Sequence, residues 1–235
     1  MTLRRDDILS HRQLCEIAHG AHVTKGMNYR IKGQLSVLLM SVRENAPYAD
    51  QIGDSGMTLV YEGHDVPRSA AVPYPKLVDQ ELFLPSGKLT ENGKFYRAVQ
   101  EFQAGSREAE SVVVFEKIKK GLWSYTGTFR MTDARPVEVD GRRVFKYSLE
   151  LDESAAAPLH SQPERAEHNR LIPTEVKIAV WNRDRGKCTK CGTVDMLHFD
   201  HVIPFSKGGS SVAVDNIQLL CARHNLEKRA DLAWE

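Results

Sequence analysis

Two pairs of soft metal ligands near the C-terminus constrain this chain more than any other feature: Cys188-x2-Cys191 and Cys221-x2-His224. A two-residue gap lets both side chains of a pair reach one tetrahedral Zn²⁺, and two such pairs close its shell. A closed shell leaves no open position for chemistry, so a zinc held here is structural. Chemistry then falls to the polar residues that such a metal would hold in place, Asp200, His201, Asn216 and Asn225. Four cysteines in 235 residues are sparse for a disulfide scaffold, and no apolar segment opens the sequence, so the expected compartment is a reducing cytoplasm. Cys15, outside both pairs, reads as a small buried or half-buried thiol.

Four pieces follow one another here: the Cys-x2-Cys knuckle, the run DHVIPFSKGG from Asp200 to Gly209, the triplet ending at Asn216, and LCARHN-x2-K ending at Lys228. Together they resemble the HNH nuclease family, whose fold is two strands and a helix around a metal (ββα-metal). The resemblance implies that Asp200 and Asn225 hold a catalytic Mg²⁺ or Mn²⁺, that His201 is the general base, and that Asn216 braces the motif. Many relatives carry a cysteine where this chain has His224. His224 is therefore expected as the fourth zinc ligand, the alternative being that it serves the catalytic ion and leaves the knuckle one ligand short.

The chemistry agrees with those roles. Hydrolysing a phosphodiester needs a water deprotonated in line with the leaving oxygen, a task suited to a neutral imidazole near neutral pH. It also needs charge relief on the phosphate, which a hard cation with few protein ligands supplies. Asp200 and His201 adjoin on an expected strand, so they face opposite ways unless the strand bends, as Pro204 and Gly208-Gly209 suggest. His198, two residues before Asp200 and on its face, reads as structural.

Bulk charge offers no argument for nucleic acid. The net charge is +1; residues 170–235 hold ten Lys and Arg against eight Asp and Glu, and the remainder twenty-two against twenty-three. Nucleic-acid binding usually announces itself by a basic excess. Hydrophobic residues make up 41% and charged ones 27%, an ordinary globular composition, and no run of about 18 apolar residues exists to span a membrane.

Apolar spacing over residues 3–19 predicts an amphipathic helix through Ile8, Leu9, Leu14, Ile17 and Ala18, ended by Gly20. Strands are expected at residues 35–42, 57–61, 111–118, 122–131 and 143–151, with Asp140-Gly141 as a hairpin turn and 66–85 as a proline-rich excursion. Residues 152–170 are polar and aperiodic and read as a linker. A helix is expected from Pro173 or Thr174 through Trp181, packing Val176, Ala179 and Val180 on the zinc module.

Within residues 20–151, two pieces carry a second resemblance. One runs from Asn45 through Tyr48, Asp50, Asp54, Gly56 and Tyr61 to Gly63; the other is Gly121-Leu-Trp-Ser-Tyr125-Thr-Gly127 with the strand Phe145-Lys-Tyr-Ser-Leu149. They are similar to the SRA domain, a curved (PUA-like) barrel that binds DNA with a modified cytosine flipped out. The resemblance implies a base pocket of Tyr48, Asp50 and Tyr61, with Asp54 as an alternative acid because the spacing departs by about a residue. Two aromatic faces sandwich a base while a carboxylate accepts a hydrogen bond from the cytosine amino group. It also implies that Tyr29 to Lys32 lie in a loop that pushes into the duplex.

The expected architecture is thus α+β: an SRA-like, barrel-like domain over residues 1–151, a linker over 152–170 and a zinc-stabilised ββα-metal HNH domain over 171–235. The implied function is a modification-dependent (type IV-like) restriction endonuclease acting near 5-methylcytosine or 5-hydroxymethylcytosine in double-stranded DNA. One nuclease site per chain favours a homodimer for double-strand cuts. The alternatives are an HNH nickase or non-specific DNase with a DNA-anchoring domain, and a non-catalytic reader of modified DNA.

Overall fold

A computed structural model describes residues 3–53, 56–154 and 171–232. The expected linker, apart from its first three residues, and Asp54 lie outside the described residues. Contacts divide the chain into two units: Cys15–Phe115 with Thr128–Asp152, and Met1–Leu14 with Glu116–Gly127 and Glu153–Glu235. We refer to them as the sheet unit and the knuckle unit.

Strands β1 (Ile8–Ser10), β2 (Met27–Ile31), β3 (Leu35–Met40), β4 (Gln51–Ile52), β5 (Thr58–Glu62), β6 (Glu110–Lys119), β7 (Leu122–Val139) and β8 (Arg142–Leu151) hydrogen-bond in the order β2-β3-β6-β7-β8-β5-β4, with β1 on β7. The five expected strands are all present. β8 shows why: Phe145, Tyr147 and Leu149 are buried while Lys146 and Ser148 between them are half-buried and Glu150 faces solvent, the period-two pattern of a half-buried strand. Asp140 and Gly141 both take positive φ, 51° and 73°, between the paired Val139 and Arg142, which is the backbone that a two-residue hairpin needs to match strand twist. The path ends at β2 and β4, and no pairing between them closes the sheet among the described residues. β4 has two residues, too few for the ladder that closure of the expected barrel requires.

The single helix expected over 3–19 is instead β1 followed by α1 (His11–Ile17). Ser10 is the reason. Its backbone N–H donates to Gln13 Oε1 (2.9 Å) and its Oγ accepts from the Gln13 N–H (3.3 Å), a reciprocal cap that starts the helix at His11. Helix α2 (Glu91–Gln103), with no counterpart among the expected elements, is capped by Thr90 Oγ1 on the Gly93 N–H (3.0 Å) and buries Phe95, Ala98 and Val99 in the sheet-unit core. Tyr29 to Ile31 belong to β2 rather than a loop. The Tyr29 ring meets Phe95 edge-on at 5.1 Å, and Arg30 pairs with Glu110 at 2.9 Å.

The knuckle unit contains α3 (Thr174–Arg183), the antiparallel pair β9 (Leu197–His201) and β10 (Ile217–Cys221), and α4 (Ala222–Leu232). Its core gathers Ile8, Ile172, Val176, Val180, Phe199 and Leu219; Ala179, expected there, is half-buried. The reach of this unit beyond residues 171–235 has a cause in Lys177, whose side chain is 0% exposed. A buried ammonium needs partners. Lys177 Nζ finds Asp6 Oδ1 at 2.7 Å, Glu116 Oε2 at 3.0 Å and Ser124 Oγ at 3.3 Å. Burial alone would strip its proton, but Asp6 and Glu116 outweigh it and hold the ammonium above its ordinary value. Residues 3–14 and 116–127, assigned by sequence to the front domain, are thereby tied to α3. No helix among the described residues is long and apolar enough to cross a membrane.

Candidate metal centre and active site

Cys188 and Cys191 sit on a tight turn closed by the Gly192 N–H on the Cys188 carbonyl (2.8 Å), with Gly192 in the left-handed region at φ 75°. Cys221 ends β10 and His224 lies in the first turn of α4. Their ligand atoms all fall within 4.8 Å of one another. Cys188 Sγ and Cys221 Sγ are each 3.4 Å from His224 Nδ1, and Cys191 Sγ is 3.9 Å from Cys221 Sγ. A tetrahedral zinc with ordinary bond lengths has edges of about 3.8 Å between sulfurs and about 3.6 Å between sulfur and nitrogen. The cluster therefore fits Zn²⁺, and His224 stands with the cysteines. Burial pushes the Cys188 thiol up, but backbone N–H groups of Cys221, Cys191 and Lys190, with His224, bring it down to about 6, toward the thiolate that a metal binds.

The same knuckle seats two strands and a helix. Leu197 and Phe199 bury one face of β9, and Asp200 and His201 occupy its end opposite Gln218 and Ile217. Asn216 ties down the loop that follows. Its Oδ1 accepts from the Ile203 N–H (2.8 Å), and its Nδ2 donates to the carbonyls of Ile203 (3.1 Å) and Ser210 (3.0 Å). Gly209 completes the bend, because a Cβ there would stand 1.8 Å from the Ile203 carbonyl oxygen.

His201 is half-buried, with Nε2 2.8 Å from Ser211 Oγ. Burial lowers its pKa, Asp6 and Asp200 pulling the other way, so the ring is held toward its neutral form. Helix α4 packs on both strands. It carries Asn225, 6% exposed, whose Oδ1 is buried with no hydrogen-bond partner among the described residues. One turn on, the Lys228 ammonium donates to Asp200 Oδ2 and to the His201 carbonyl. A carbonyl oxygen and a carboxylate are donor types that a hard cation takes, so Asn225 and Asp200 are of the chemistry that the ion implied by the resemblance would need. His198 Nδ1 lies 2.6 Å from Asp7 Oδ1 and holds the N-terminal segment against β9, a structural role as expected.

In the sheet unit, Tyr48 and Tyr61 meet at a residue that the motif reading passes over, His64, and Asp50 lies near Tyr61. Asp50 Oδ1 and Oδ2 accept from the backbone N–H groups of Glu62 and Ser41, both at 3.0 Å. Burial pushes the Asp50 carboxyl up to about 6, against those two bonds. Tyr61 is only 2% exposed, and its hydroxyl is 2.9 Å from His64 Nε2. The half-buried Tyr48 ring lies nearly parallel to the His64 ring, centroids 5.2 Å apart and planes at 13°, and Lys76 Nζ sits 4.0 Å from the Tyr48 centroid. Both rings expected to sandwich a base are therefore covered in this structure, Tyr61 by burial and Tyr48 by His64 and Lys76.

Lys228, His64 and the Asp6–Asp7 pair are the site residues that sequence reasoning leaves without a role. Lys228 carried a signal, its three-residue spacing from Asn225 on one helix face. The acids of the N-terminal segment carried none, since Asp7 and His198 are 191 residues apart.

Among solved structures, the chain is similar to the SRA domain of SUVH5 in a complex with methylated CHH DNA (17% identity, 69% of this chain and 92% of that one, TM-score 0.44). It is similar to the same domain bound to fully hydroxymethylated CG DNA (18% identity, 67% and 89%, TM-score 0.43). It is also similar to Arabidopsis thaliana SUVH6 in complex with SAM (20% identity, 74% and 28%, TM-score 0.42). No curated protein matches the chain. Residues 188–231, which hold the Cys3His cluster, Asp200, His201, Asn216 and Asn225, match the family model described as HNH endonuclease.

Proposed function

We propose that this protein is a modification-dependent DNA endonuclease, cutting phosphodiester bonds with the HNH segment near a modified cytosine bound by the sheet unit. The observation that supports the reading is a ββα element with Asp200 and His201 at the end of β9 and α4 packed on it. That helix carries Asn225, its Oδ1 buried with no hydrogen-bond partner among the described residues, reaches Asp200 through Lys228 and supplies His224 to the Cys3His cluster. Nε2 of His201 lies 2.8 Å from Ser211 Oγ; in the tautomer that donates Nε2–H to that hydroxyl, His201 keeps the Nδ1 lone pair for the proton of the attacking water. The water oxygen bonds to phosphorus as the 3′ oxygen departs. Asp200 and Asn225 would hold a Mg²⁺ or Mn²⁺, which when bound relieves charge on the phosphate and the leaving oxygen. Asn216 fixes the loop so that His201 does not drift from that position, and Lys228 neutralises part of the Asp200 charge. Cutting both strands takes two such sites, which a homodimer on double-stranded DNA provides.

Tyr48 and Asp50 form the base pocket in this reading, with the Asp50 carboxylate accepting from the cytosine amino group. The burial of Tyr61 favours a second reading, an HNH nickase or non-specific nuclease whose sheet unit only anchors DNA. Methylated and unmethylated plasmids incubated with the protein, with Mg²⁺ or Mn²⁺ and with chelator, separate the two. We expect divalent-dependent cutting of the methylated plasmid alone; equal cutting of both supports the second reading, and binding without cutting removes the nuclease.

A further inference from the structure

His64 has no role in the chemistry above, yet it is the residue on which both pocket tyrosines converge. Its ring stacks on Tyr48 at 5.2 Å and 13°, and its Nε2 meets the Tyr61 hydroxyl at 2.9 Å. Its backbone has little freedom. The Asn92 side chain accepts from the His64 N–H (2.8 Å) and donates to the His64 carbonyl (2.8 Å), pinning both sides of one residue to α2. The wall beside the ring is bare backbone, because a Cβ on Gly26 would stand 2.7 Å from both His64 Nε2 and the Tyr61 hydroxyl oxygen. Only side-chain rotation, about a fixed backbone and from a half-buried position, is left to move the imidazole.

We infer that His64 is a specificity-determining residue of the base pocket: its imidazole occupies the stacking face of Tyr48 that a flipped base needs, and a base enters by displacing it. The inference rests on the base-pocket reading above. A stack and one hydrogen bond are a modest hold, and a cytosine ring with an amino group for Asp50 replaces both with a larger stack and a bond of its own. A base that offers Asp50 no donor gains only the stack and displaces the imidazole less readily. Burial lowers the His64 pKa to about 4, so the stacked ring is neutral and is not repelled by Lys76 beside Tyr48.

The test is binding of the full chain, with no divalent cation added, to a duplex carrying one 5-methylcytosine and to its unmodified twin. Wild type is compared with His64→Ala, His64→Phe and Tyr48→Ala, each checked by thermal melting. His64→Asn, which keeps a polar partner for Tyr61 but no ring, replaces His64→Ala if the latter fails to melt cooperatively. The expected result is binding of the methylated duplex about two- to tenfold tighter for His64→Ala, with no gain for His64→Phe, whose ring still covers Tyr48. Discrimination against a duplex carrying a mispaired thymine at the same position, which offers Asp50 no donor, falls in His64→Ala. Equal or weaker binding by a folded His64→Ala overturns the inference. If Tyr48→Ala leaves the preference intact, the base-pocket reading itself has failed, and the inference falls with it.

Discussion

Asn225 and Asp50 show opposite ways of burying a polar side chain. Asn225 Oδ1 has no partner among the described residues, an arrangement that is expensive unless something else satisfies the oxygen. Asp50 has both oxygens satisfied by backbone N–H groups, yet its carboxyl is still raised to about 6 because burial dominates. A raised carboxyl pKa contributes stability below its ordinary value of 3.8 and loses it as pH rises through about 6. Binding that uses the carboxylate as an acceptor runs the other way. Affinity for a methylated duplex should rise by up to about tenfold per pH unit below 6 and level off above 7. Asp50→Asn should flatten that profile; an unchanged slope contradicts the assignment. At the other site, His201→Ala should reduce cleavage about 10²- to 10⁴-fold, the usual worth of a general base, with DNA binding retained. Substantial residual cutting in a single-turnover assay removes His201 from that role. These residues were legible because they follow one another in a short motif. His64 was not: it stands one residue past the quoted run, and only the folded loop turns its ring toward Tyr48.

Among the elements, the knuckle has the largest consequences. Two strands and a helix bury a small core, so a metal that binds only the folded arrangement adds its binding free energy to folding. We expect one zinc per chain and its loss in Cys188→Ser, with a lower melting temperature for the unit that carries it. A variant with both zinc and melting point intact shows the cluster to be dispensable. Spacing alone located this element, as it did the five strands, because period-two burial and metal-ligand gaps are local signals. Two elements escaped that logic. The Ser10–Gln13 cap turns a run of helical apolar spacing into a strand followed by a helix. α2 hides behind Gly93, a weak helix former that is needed because a Cβ would lie 2.0 Å from the Leu82 carbonyl oxygen.

Taken whole, the molecule does not divide where the sequence suggests. The expected boundary at residue 151 follows composition, whereas the observed units follow a buried charge: Lys177 recruits Asp6 and Glu116, which are far from it in sequence, and the hydrophobic contact of Ile8 follows. Such pairings leave no trace in local periodicity. The two candidate sites nonetheless fall in different units, so base selection and bond cleavage should separate by mutation. The most direct measurement is the ratio of cleavage rates on methylated over unmethylated plasmid, for the wild type and for Tyr48→Ala/Asp50→Ala. The account predicts a ratio well above one for the wild type, falling to about one in the double variant while divalent-dependent cutting persists. A wild-type ratio of one, or a ratio that survives the double substitution, contradicts it.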